Sequence, residues 1–280
     1  MLSDDTVKFF WENGFCPLGR VLSPNQARDI RDHVERFEEH HPDSIGKLDL
    51  KANLLFTWCD DLSSHPMVMP KLAQLLGGNI LCHSAAFRNK AADGRTHVGW
   101  HQDTTYEQVD PHKIIAWYAI TDATRENGCL RFMPGSHRWG QMQHTEGGSP
   151  YSMLSHKHYV SQSLDESKAV DMELAAGEAV FFHHGIVHGS KPNYSADRRM
   201  GLFFDYVGTN SVMAGKRESA RLVYGRDMVG NYDVDPGPSE DFGPGEIQAH
   251  RIAVEKLSAN FYSDWSGDVE ALSGRARNTI

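Results

Sequence analysis

The stretch GEAVFFHHGIVHGSKPNYSADRRMGLFFDY, residues 177–206, decides the fold class. It contains two short apolar runs, AVFF and GLFF, whose aromatic and β-branched residues are typical of strands. Between the runs lies a segment rich in glycine, proline, asparagine and serine, which predicts a loop. The stretch therefore predicts two β-strands, with histidines around the end of the first and two arginines at the start of the second.

Similar runs lie upstream of this stretch, and the last of them overlaps its start. The segments NILCHSAAF, KIIAWYAITD, GCLRFMPGS and AVDMELAAGEAVFFHH are short, rich in strand-forming residues and separated by turn residues. Within the last of them, LAAGEAV predicts a tight turn between two strands, with Gly177 supplying a positive φ. Many short strands without regular intervening helices predict a mainly β fold, a sandwich or jelly-roll barrel, from about residue 79 to 210.

The N-terminal part, residues 1–78, is predicted to form helices that pack on the outside of this barrel. The stretch SPNQ at residues 23–26 is a capping box with proline at the first helical position. Apolar residues follow it at helical spacing on one face: Ala27, Ile30, Val34 and Phe37. Further helices are predicted from residue 3 to 13, ended by Gly14, and from 66 to 76, ended by two glycines.

The C-terminal part, residues 211–280, is predicted to consist of a loop and one helix. Residues 225–245 are rich in glycine, proline and aspartate, which predicts the loop, and EIQAHRIAVEKL predicts the helix. The last residues, SGRARNTI, are expected to fray. At 280 residues, the whole chain is expected to form one domain.

Composition narrows the classes of function. A net charge of −9 and an isoelectric point near 5.9 argue against a nucleic-acid-binding surface. No apolar stretch is long enough for a membrane span, and the acidic N-terminus lacks the pattern of a signal peptide. The four cysteines are scattered and form no CxxC pair, which favours reduced thiols and a cytoplasmic location. Composition does not indicate an oligomeric state.

Two His-x-Asp triplets are candidates for metal ligands. His101 and Asp103 lie in the strand-rich half, where residues two apart on a strand would point to the same face. The other triplet, HPD at residues 41–43, follows a charged helix end, and its proline disfavours a paired strand. We interpret HPD as a solvated turn and HQD as the better candidate site.

A third ligand could come from the histidines after AVFF, which are His183, His184 and His188. Each could instead be a hydrogen-bonded core histidine, and the residues alone leave this choice open. What favours His188 is the arginine pair that follows, because an arginine at the start of a barrel strand suggests an anionic ligand. Two histidines and one carboxylate on one side of a metal are the ligand set of non-haem Fe(II) oxygenases. The open side can bind a 2-oxo acid, whose far carboxylate needs a fixed guanidinium.

These motifs together resemble the phytanoyl-CoA dioxygenase family of Fe(II)- and 2-oxoglutarate-dependent oxygenases. The resemblance covers residues 3 to about 210 and rests on HQD, AWYAITDATRENGCLRFMPGSH and VHGSKPNYSADRRMGLFFDY. It implies a double-stranded β-helix, a jelly-roll of the cupin type. By position it implies iron ligation by His101, Asp103 and His188, binding of the 2-oxoglutarate 5-carboxylate by Arg199, and further cosubstrate contacts from Ser190 and Trp117.

The resemblance also implies a reaction. Fe(II), 2-oxoglutarate and O₂ would be used to hydroxylate a C–H bond of a small, polar metabolite, with release of succinate and CO₂. Related halogenases replace the metal carboxylate with alanine or glycine, so the presence of Asp103 favours hydroxylation. Arg131 could face either substrate or solvent. The candidate substrate contacts are His83, Phe87, Arg88, Gln102, Tyr106 and Arg131.

Two other functions remain alternatives at this level. A cupin-like isomerase or hydrolase would use the same barrel with another divalent metal, but it would need neither Arg199 nor 2-oxoglutarate. A non-catalytic binding barrel would not need an intact set of metal ligands. The sequence does not choose among an aminoalkylphosphonate, an amino acid, a natural-product intermediate and an acyl-CoA as substrate.

Overall fold

Two larger β-sheets and five α-helices form the framework of the described part of the chain, which is residues 1–154 and 157–261 of a computed structural model. The helices are α1 (Asp4–Asn13), α2 (Pro24–His40), α3 (Thr57–Ser63), α4 (Met69–Leu76) and α5 (Pro244–Phe261). The strands are β1 (Phe15–Arg20), β2 (Ile80–Lys90), β3 (Val98–His101), β4 (Val109–Asp110), β5 (Lys113–Ala119), β6 (Leu130–Phe132), β7 (His144–Thr145), β8 (Tyr159–Val160), β9 (Val170–Met172), β10 (Glu178–His183), β11 (His188–Ser190), β12 (Arg199–Gly208), β13 (Val212–Met213), β14 (Ser219–Tyr224) and β15 (Asp233–Val234).

The larger sheet has seven strands in the order β1-β10-β5-β12-β2-β14-β15, and the smaller has four in the order β3-β11-β6-β9. All pairs are antiparallel except β14 with β15. Two further pairs, β4 with β13 and β7 with β8, form small separate sheets. This arrangement confirms the prediction of a mainly β jelly-roll fold with flanking helices.

The larger sheet is apolar on both faces because each face is covered by another layer. Phe87, Tyr118 and Leu202 are register partners that belong to the core packed against the N-terminal helices. Their neighbours Trp117 and Phe203 point to the opposite face, where the core includes Leu130 and Phe132 of the smaller sheet. The space between the two sheets therefore forms the interior of the barrel.

The N-terminal helices form where the sequence predicts them. Ser23 and Gln26 make the predicted capping box, with hydrogen bonds of 3.2 and 2.9 Å. Gly14 ends α1 at a φ of 85°, a left-handed conformation that glycine adopts readily. The buried residues of α2 are those that the helical spacing predicts: Ala27, Ile30, Val34 and Phe37. The helix predicted over 66–76 begins at Met69, and α3 was not predicted.

The large sheet also takes strands from outside the predicted core. Strand β1 lies between α1 and α2 and pairs with β10, whereas β14 and β15 come after residue 211 and extend the opposite edge. The boundaries of the β core at 79 and 210 are therefore corrected. Sequence periodicity did not reveal β1, because FCPLGR is short and contains a proline and a glycine.

The turn at Gly177 lies between two strands, as predicted, but it does not close a hairpin. Its φ is 87°, as expected, but it joins β9 of the smaller sheet to β10 of the larger one, so the two strands do not pair. The Gly177 amide donates to Ala119, and its carbonyl accepts from Val21 and Leu22. These bonds to β5 and to the end of β1 replace the cross-strand bonds of a hairpin, and the turn moves the chain between the sheets.

The remaining predicted segments lie mostly as expected. His41 ends α2, and HPD continues into a 3₁₀ helix, Pro42–Asp49, rather than a simple turn. Residues 225–245 are mainly a loop that includes β15, and EIQAHRIAVEKL lies within α5. The predicted frayed end, SGRARNTI, lies outside the described residues. Among the residues described, the structure contains no helix whose length and apolar character would allow it to cross a membrane.

Candidate active site

His101, Asp103 and His188 come together on the inner side of the smaller sheet. One potential ligand atom from each lies within 4.8 Å of the others, which is close enough to hold one metal ion. The Nε2 atom of His101 is 3.3 Å from Oδ1 of Asp103, and Nε2 of His188 is 3.9 Å from Oδ2. Two imidazoles and one carboxylate match the facial set that Fe(II) sites use, with the remaining positions open to other ligands.

Backbone contacts orient both imidazoles towards this centre. Nδ1 of His101 lies 3.0 Å from the carbonyl oxygens of Gly99 and His188, and Nδ1 of His188 lies 3.0 Å from that of Ile186. A nitrogen between carbonyl oxygens must carry the proton, so each Nδ1–H donates and each Nε2 keeps its lone pair. Both Nε2 atoms that face Asp103 are therefore in the tautomer that binds a metal.

Electrostatics favour the same protonation states. Burial lowers the pKa of His188 to about 4, so its imidazole is neutral near pH 7. Burial by itself would raise the pKa of Asp103, but the imidazoles of His188 and His101 outweigh it and hold the pKa below its ordinary value. Neutral histidines and an ionised carboxylate are the forms in which these residues bind divalent cations.

The local fold brings the three residues together by a route that differs from the prediction. His101 ends β3, and His188 begins β11 as its direct register partner, so the two rings lie with centroids 4.1 Å apart. Asp103 does not continue the strand as expected. It starts a 3₁₀ turn, Asp103–Thr105, and its amide donates to the carbonyl oxygen of His184. The carboxylate therefore reaches the cluster from a turn rather than by strand alternation.

The other two candidate histidines lie outside this cluster. Nδ1 of His184 contacts the backbone of Lys113, and its ring stacks on that of His183 at 4.8 Å. Nδ1 of His183 accepts a hydrogen bond from the amide of Gly185. Burial lowers the pKa of His183 to about 2 and that of His184 to about 4. His184 is buried and His183 half-buried, and both are hydrogen-bonded histidines of the kind that the sequence left as an alternative.

A cationic pocket lies beyond His188 in the interior. Arg199 is 1% exposed, donates to the carbonyl oxygens of Gly128 and Arg88 at 2.8 and 3.3 Å, and leaves its Nε atom without a hydrogen-bond partner among the described residues. Lys90 is its register partner on β2 and is also buried. Within residues 1–154 and 157–261, neither cation forms an ion pair with a carboxylate. Two buried cations and an unpaired guanidinium N–H fit a carboxylate ligand.

Ser190 and Trp117, for which the resemblance implies cosubstrate contacts, also lie in this pocket. The hydroxyl oxygen of Ser190 accepts a hydrogen bond from Nζ of Lys90 at 2.6 Å. The Arg199 guanidinium lies 5.4 Å from the ring centroid of Trp117, and this cation–π contact holds the guanidinium in place. Burial and the charge of Arg199 lower the pKa of Lys90 to about 6, and an anion bound between the two would raise this pKa and so make Lys90 the second cation of the pocket near pH 7.

Three of the predicted substrate contacts do not face the cluster. Phe87 packs on the helix-covered face of the larger sheet, 6.0 Å from Trp58. The side chain of Gln102 bonds to Gly140, Met142 and Gly185, so it anchors a loop. Arg131 lies between two inward-facing residues of β6, so its side chain points outward. There it pairs with Asp171 and Glu166. These positions correct the expectation for all three residues.

The other three predicted contacts face the interior or its mouth. The ring of Tyr106 lies 6.5 Å from that of His101. Arg88 lies over the ring of Phe203 at 4.9 Å and bonds to Asp49. His83 is fully buried and belongs to a second group of potential ligands, with Glu107 and Asp205. The ammonium of Lys113 already contacts both carboxylates of this group.

Sequence reasoning missed four charged residues of the interior: Lys90, Glu107, Lys113 and Asp205. A signal for three of them was available. Lys113 starts the apolar run KIIAWYA, Asp205 interrupts GLFFDYV, and Lys90 lies three residues beyond the predicted strand segment NILCHSAAF. A charged residue in or next to a barrel strand suggests a ligand or a charged partner. This reasoning was applied to the arginine pair and applies equally to these positions. Glu107 lies in a loop and gives no such signal.

Comparisons with known proteins agree with this geometry. A family model for phytanoyl-CoA dioxygenase (PhyH) matches residues 10–201. Phytanoyl-CoA dioxygenase 1 of Oryza sativa subsp. japonica is 32% identical over 256 residues, which cover 74% of this chain and 90% of that protein. L-proline trans-4-hydroxylase of Streptomyces griseoviridis is 28% identical over 235 residues, which cover 73% and 86%.

A solved structure shows the same fold. The apo form of the non-heme monooxygenase ThoJ superposes with a TM-score of 0.84 at 25% identity, covering 92% of this chain and 98% of that one. The family match spans both candidate histidine ligands, Asp103 and the arginine of the cationic pocket. As its motifs predicted, the chain belongs to the phytanoyl-CoA dioxygenase family of Fe(II)- and 2-oxoglutarate-dependent oxygenases.

Proposed function

We propose that this chain is a hydroxylase of a small, polar metabolite, with His101, Asp103 and His188 as its iron ligands. The observation that carries the proposal is the pairing of this complete ligand set with a separate pocket of two buried cations. The ligand set suits Fe(II), and Arg199 with Lys90 suits the 5-carboxylate of 2-oxoglutarate. An isomerase or hydrolase with the same metal ligands would leave those two cations without a role.

Bound Fe(II) would supply the redox chemistry that couples the cosubstrate to O₂. The balance is that 2-oxoglutarate, O₂ and R–H give succinate, CO₂ and R–OH. One oxygen atom of O₂ enters the new succinate carboxylate and the other enters the alcohol. Decarboxylation provides two electrons and the C–H bond provides two, so both oxygen atoms are fully reduced without another reductant.

The protein's part in this reaction is to bind the cosubstrate, to orient the metal ligands and to exclude bulk water. Arg199 and Lys90 would hold the far carboxylate, while Ser190 and Trp117 fix the positions of the two cations. The carbonyl contacts at both Nδ1 atoms keep His101 and His188 in one tautomer and one orientation. The apolar core between the sheets keeps bulk water away from the cosubstrate pocket.

The polarity of the substrate is inferred from the other end of the interior. His83, Glu107, Lys113 and Asp205 form a charged wall there, which would disfavour a purely apolar chain. The similarity to L-proline trans-4-hydroxylase supports a small polar substrate, and hydroxylation is supported by the presence of Asp103.

Substitution of His188 tests the ligand assignment. We expect His188→Ala to abolish tight Fe(II) binding and 2-oxoglutarate-dependent succinate formation, because only one imidazole and one carboxylate remain. His41→Ala, at an exposed helix end, should change neither quantity. His184→Ala should lower the unfolding temperature, since a buried hydrogen-bonded ring is lost, but it should retain iron binding. Loss of iron in His184→Ala with retention in His188→Ala would contradict the assignment.

A further inference from the structure

The interior of the barrel carries opposite charges at its two ends. Arg199 and Asp205 lie six residues apart on β12 and point to the same face, about 20 Å apart along the strand. The Arg199 end carries two cations. The Asp205 end, which we call the acidic end, comprises His83, Glu107, Lys113, Asp205 and Glu218.

The candidate metal ligands lie between these ends. Ser190, two residues after His188, contacts Lys90 on the cationic side. On the other side, the charge of Asp103 interacts with those of Lys113 and Asp205. An anionic cosubstrate that occupies the cationic end therefore leaves the acidic end for the molecule to be oxidised.

Hydrogen bonds at the acidic end fix the charge state of His83. Its Nε2 atom is 2.5 Å from the Glu218 carboxylate, and its Nδ1 atom is 3.2 Å from the ammonium of Lys113. An ammonium can only donate, so Nδ1 accepts and Nε2–H donates, which makes the ring neutral. Burial and the charge of Lys113 lower the pKa of His83, in agreement with this assignment.

The acidic end has more negative than positive charge. Glu107, Asp205 and Glu218 are carboxylates; Lys113 contacts the first two, and Glu218 bonds to the neutral ring of His83 and feels Lys113 only through its charge. The nearby ammonium of Lys51 is paired with Asp235 at 2.8 Å and does not compensate the excess. Two negative charges therefore remain when all three carboxylates are ionised, and an uncompensated buried charge is costly.

Asp205 is the carboxylate with room for another partner. Its distance to Lys113 is 3.4 Å, long for a charged hydrogen bond, and among the described residues its side chain has no other hydrogen-bond partner. The side chain is 15% exposed, whereas those of Glu218 and Lys113 are 1% and 3% exposed. A carboxylate can accept several hydrogen bonds, so most of the capacity of Asp205 is unused.

A second, independent feature points to a ligand at the same place. Tyr232 is 3% exposed, and its hydroxyl has no hydrogen-bond partner in the described part of the chain. Its ring centroid lies 6.1 Å from that of His83, and the charges of Lys113 and Glu218 act on its hydroxyl. A buried hydroxyl without a partner costs free energy unless a bound group completes it.

We propose that the substrate carries a protonated amine, which binds to the Asp205 carboxylate with the Tyr232 hydroxyl as a further hydrogen-bond acceptor. The ammonium compensates one of the excess negative charges and completes both unsatisfied groups. A small molecule anchored at Asp205 extends towards Asp103, so C–H bonds close to the amine face the candidate metal centre. That these bonds are then oxidised rests on the proposed function, whereas amine binding does not.

Binding is tested with a panel of free L-amino acids and diamines, each beside its N-acetyl derivative. The readout is the unfolding temperature of the full-length chain, measured with Fe(II) and 2-oxoglutarate under anaerobic conditions and also without them. We expect at least one free amine to raise the unfolding temperature, and its N-acetyl derivative to bind at least about tenfold more weakly. Equal binding of both forms, or no stabilisation by any amine, would overturn the proposal.

Variants locate the binding site. Asp205→Asn, which keeps the shape but removes the charge, should weaken amine binding at least about tenfold, and Tyr232→Phe should weaken it less. Asp61→Asn, on the exposed side of α3, should bind the amine as the unaltered chain does. Unchanged amine affinity in Asp205→Asn would overturn the assignment. Failure of the proposed function looks different, because amine binding would persist without any succinate formation.

Discussion

Arg198 and Arg199 are neighbours in the chain but have opposite surroundings. Arg198 points outward, where Glu35 and Glu38 of α2 pair with it at 3.1 and 2.7 Å. Arg199 points inward, next to Lys90, and has no carboxylate partner in the part of the chain that the structure describes. Arg199 begins β12 and Arg198 immediately precedes it, so the alternation of an extended chain places the two side chains on opposite sides.

The two arginines should therefore respond differently to truncation. Arg199→Ala leaves a bound 2-oxoglutarate carboxylate without its guanidinium in a buried pocket, which costs roughly 2–5 kcal/mol. The apparent affinity for 2-oxoglutarate should fall by orders of magnitude, while Fe(II) binding persists. Lys90→Met should act in the same direction.

Arg198→Ala removes surface ion pairs of about 0–1 kcal/mol each and should leave the affinity for 2-oxoglutarate unchanged. Succinate formation measured against 2-oxoglutarate concentration distinguishes the two arginine variants. A loss of affinity in Arg198→Ala, with none in Arg199→Ala, would contradict the register of β12.

At the residue scale, chemistry was more predictable than position. His101, Asp103 and Arg199 could be selected from the sequence because their spacing and neighbours suggest a ligand set. The choice of His188 over His184 depended on the arginine pair further along the chain and on the family resemblance, since both histidines follow the same strand. Arg131 and Gln102 were misplaced because one alternates to the outer face of β6 and the other lies after the end of β3. Alternation can be predicted only when the strand ends are known.

At the element scale, the turn before β6 shapes the cationic pocket. The carbonyl of Gly128 accepts from Arg199 at 2.8 Å and from Lys90 at 3.4 Å, so one peptide group positions both cations. Gly128 has a φ of 75°, and a Cβ atom there would lie 2.2 Å from the carbonyl oxygen of Lys191. The glycine of the NGC motif is therefore required both by its conformation and by close packing.

Gly128→Ala should disturb stability and cosubstrate binding together. The left-handed conformation costs an alanine about 1–3 kcal/mol, and the contact with Lys191 adds to this cost. Displacement of the carbonyl should also loosen Arg199 and weaken the binding of 2-oxoglutarate. Gly230→Ala is the matched control, since its φ is 70° but nothing lies within 4 Å of the added methyl group. Thermal unfolding and 2-oxoglutarate titration of both variants check this, and equal cosubstrate affinities would contradict the positioning role.

The elements that the sequence predicted well are those with local signals. The capping box fixes the start of α2, and glycines end α1 and α4. The missed elements, β1 and β14, form because edges of the larger sheet are available to them, which is a tertiary effect. The Gly177 turn was predicted with the correct φ and between two strands, but the sequence did not show that these strands join different sheets, because a local conformation does not specify which sheet the next strand joins.

At the scale of the whole molecule, buried ionisable groups should make stability depend on pH in two opposite ways. Burial lowers the pKa of His184, His188 and His250 to about 4 in the folded chain. The unfolded chain then binds more protons, so this contribution to stability is lost as the pH falls from about 6.5 towards 4. Asp205 acts in the other direction, because burial raises its pKa to about 7.

The contribution of Asp205 can be isolated in the metal-free protein. A carboxyl group with a raised pKa binds its proton more tightly in the folded state, so its contribution is present at low pH and is lost as the pH rises from about 4 to 7. The full shift corresponds to at most roughly 4 kcal/mol, shared with Lys113 and Glu107 through their mutual contacts. The amide introduced by Asp205→Asn cannot ionise, so this variant does not lose stability in this way as the pH rises. Its unfolding temperature, measured with a chelator present, should therefore exceed that of the unaltered chain by a margin that grows from pH 5 to pH 8. A margin that stays constant over this range would show that Asp205 does not titrate there and would contradict the raised pKa.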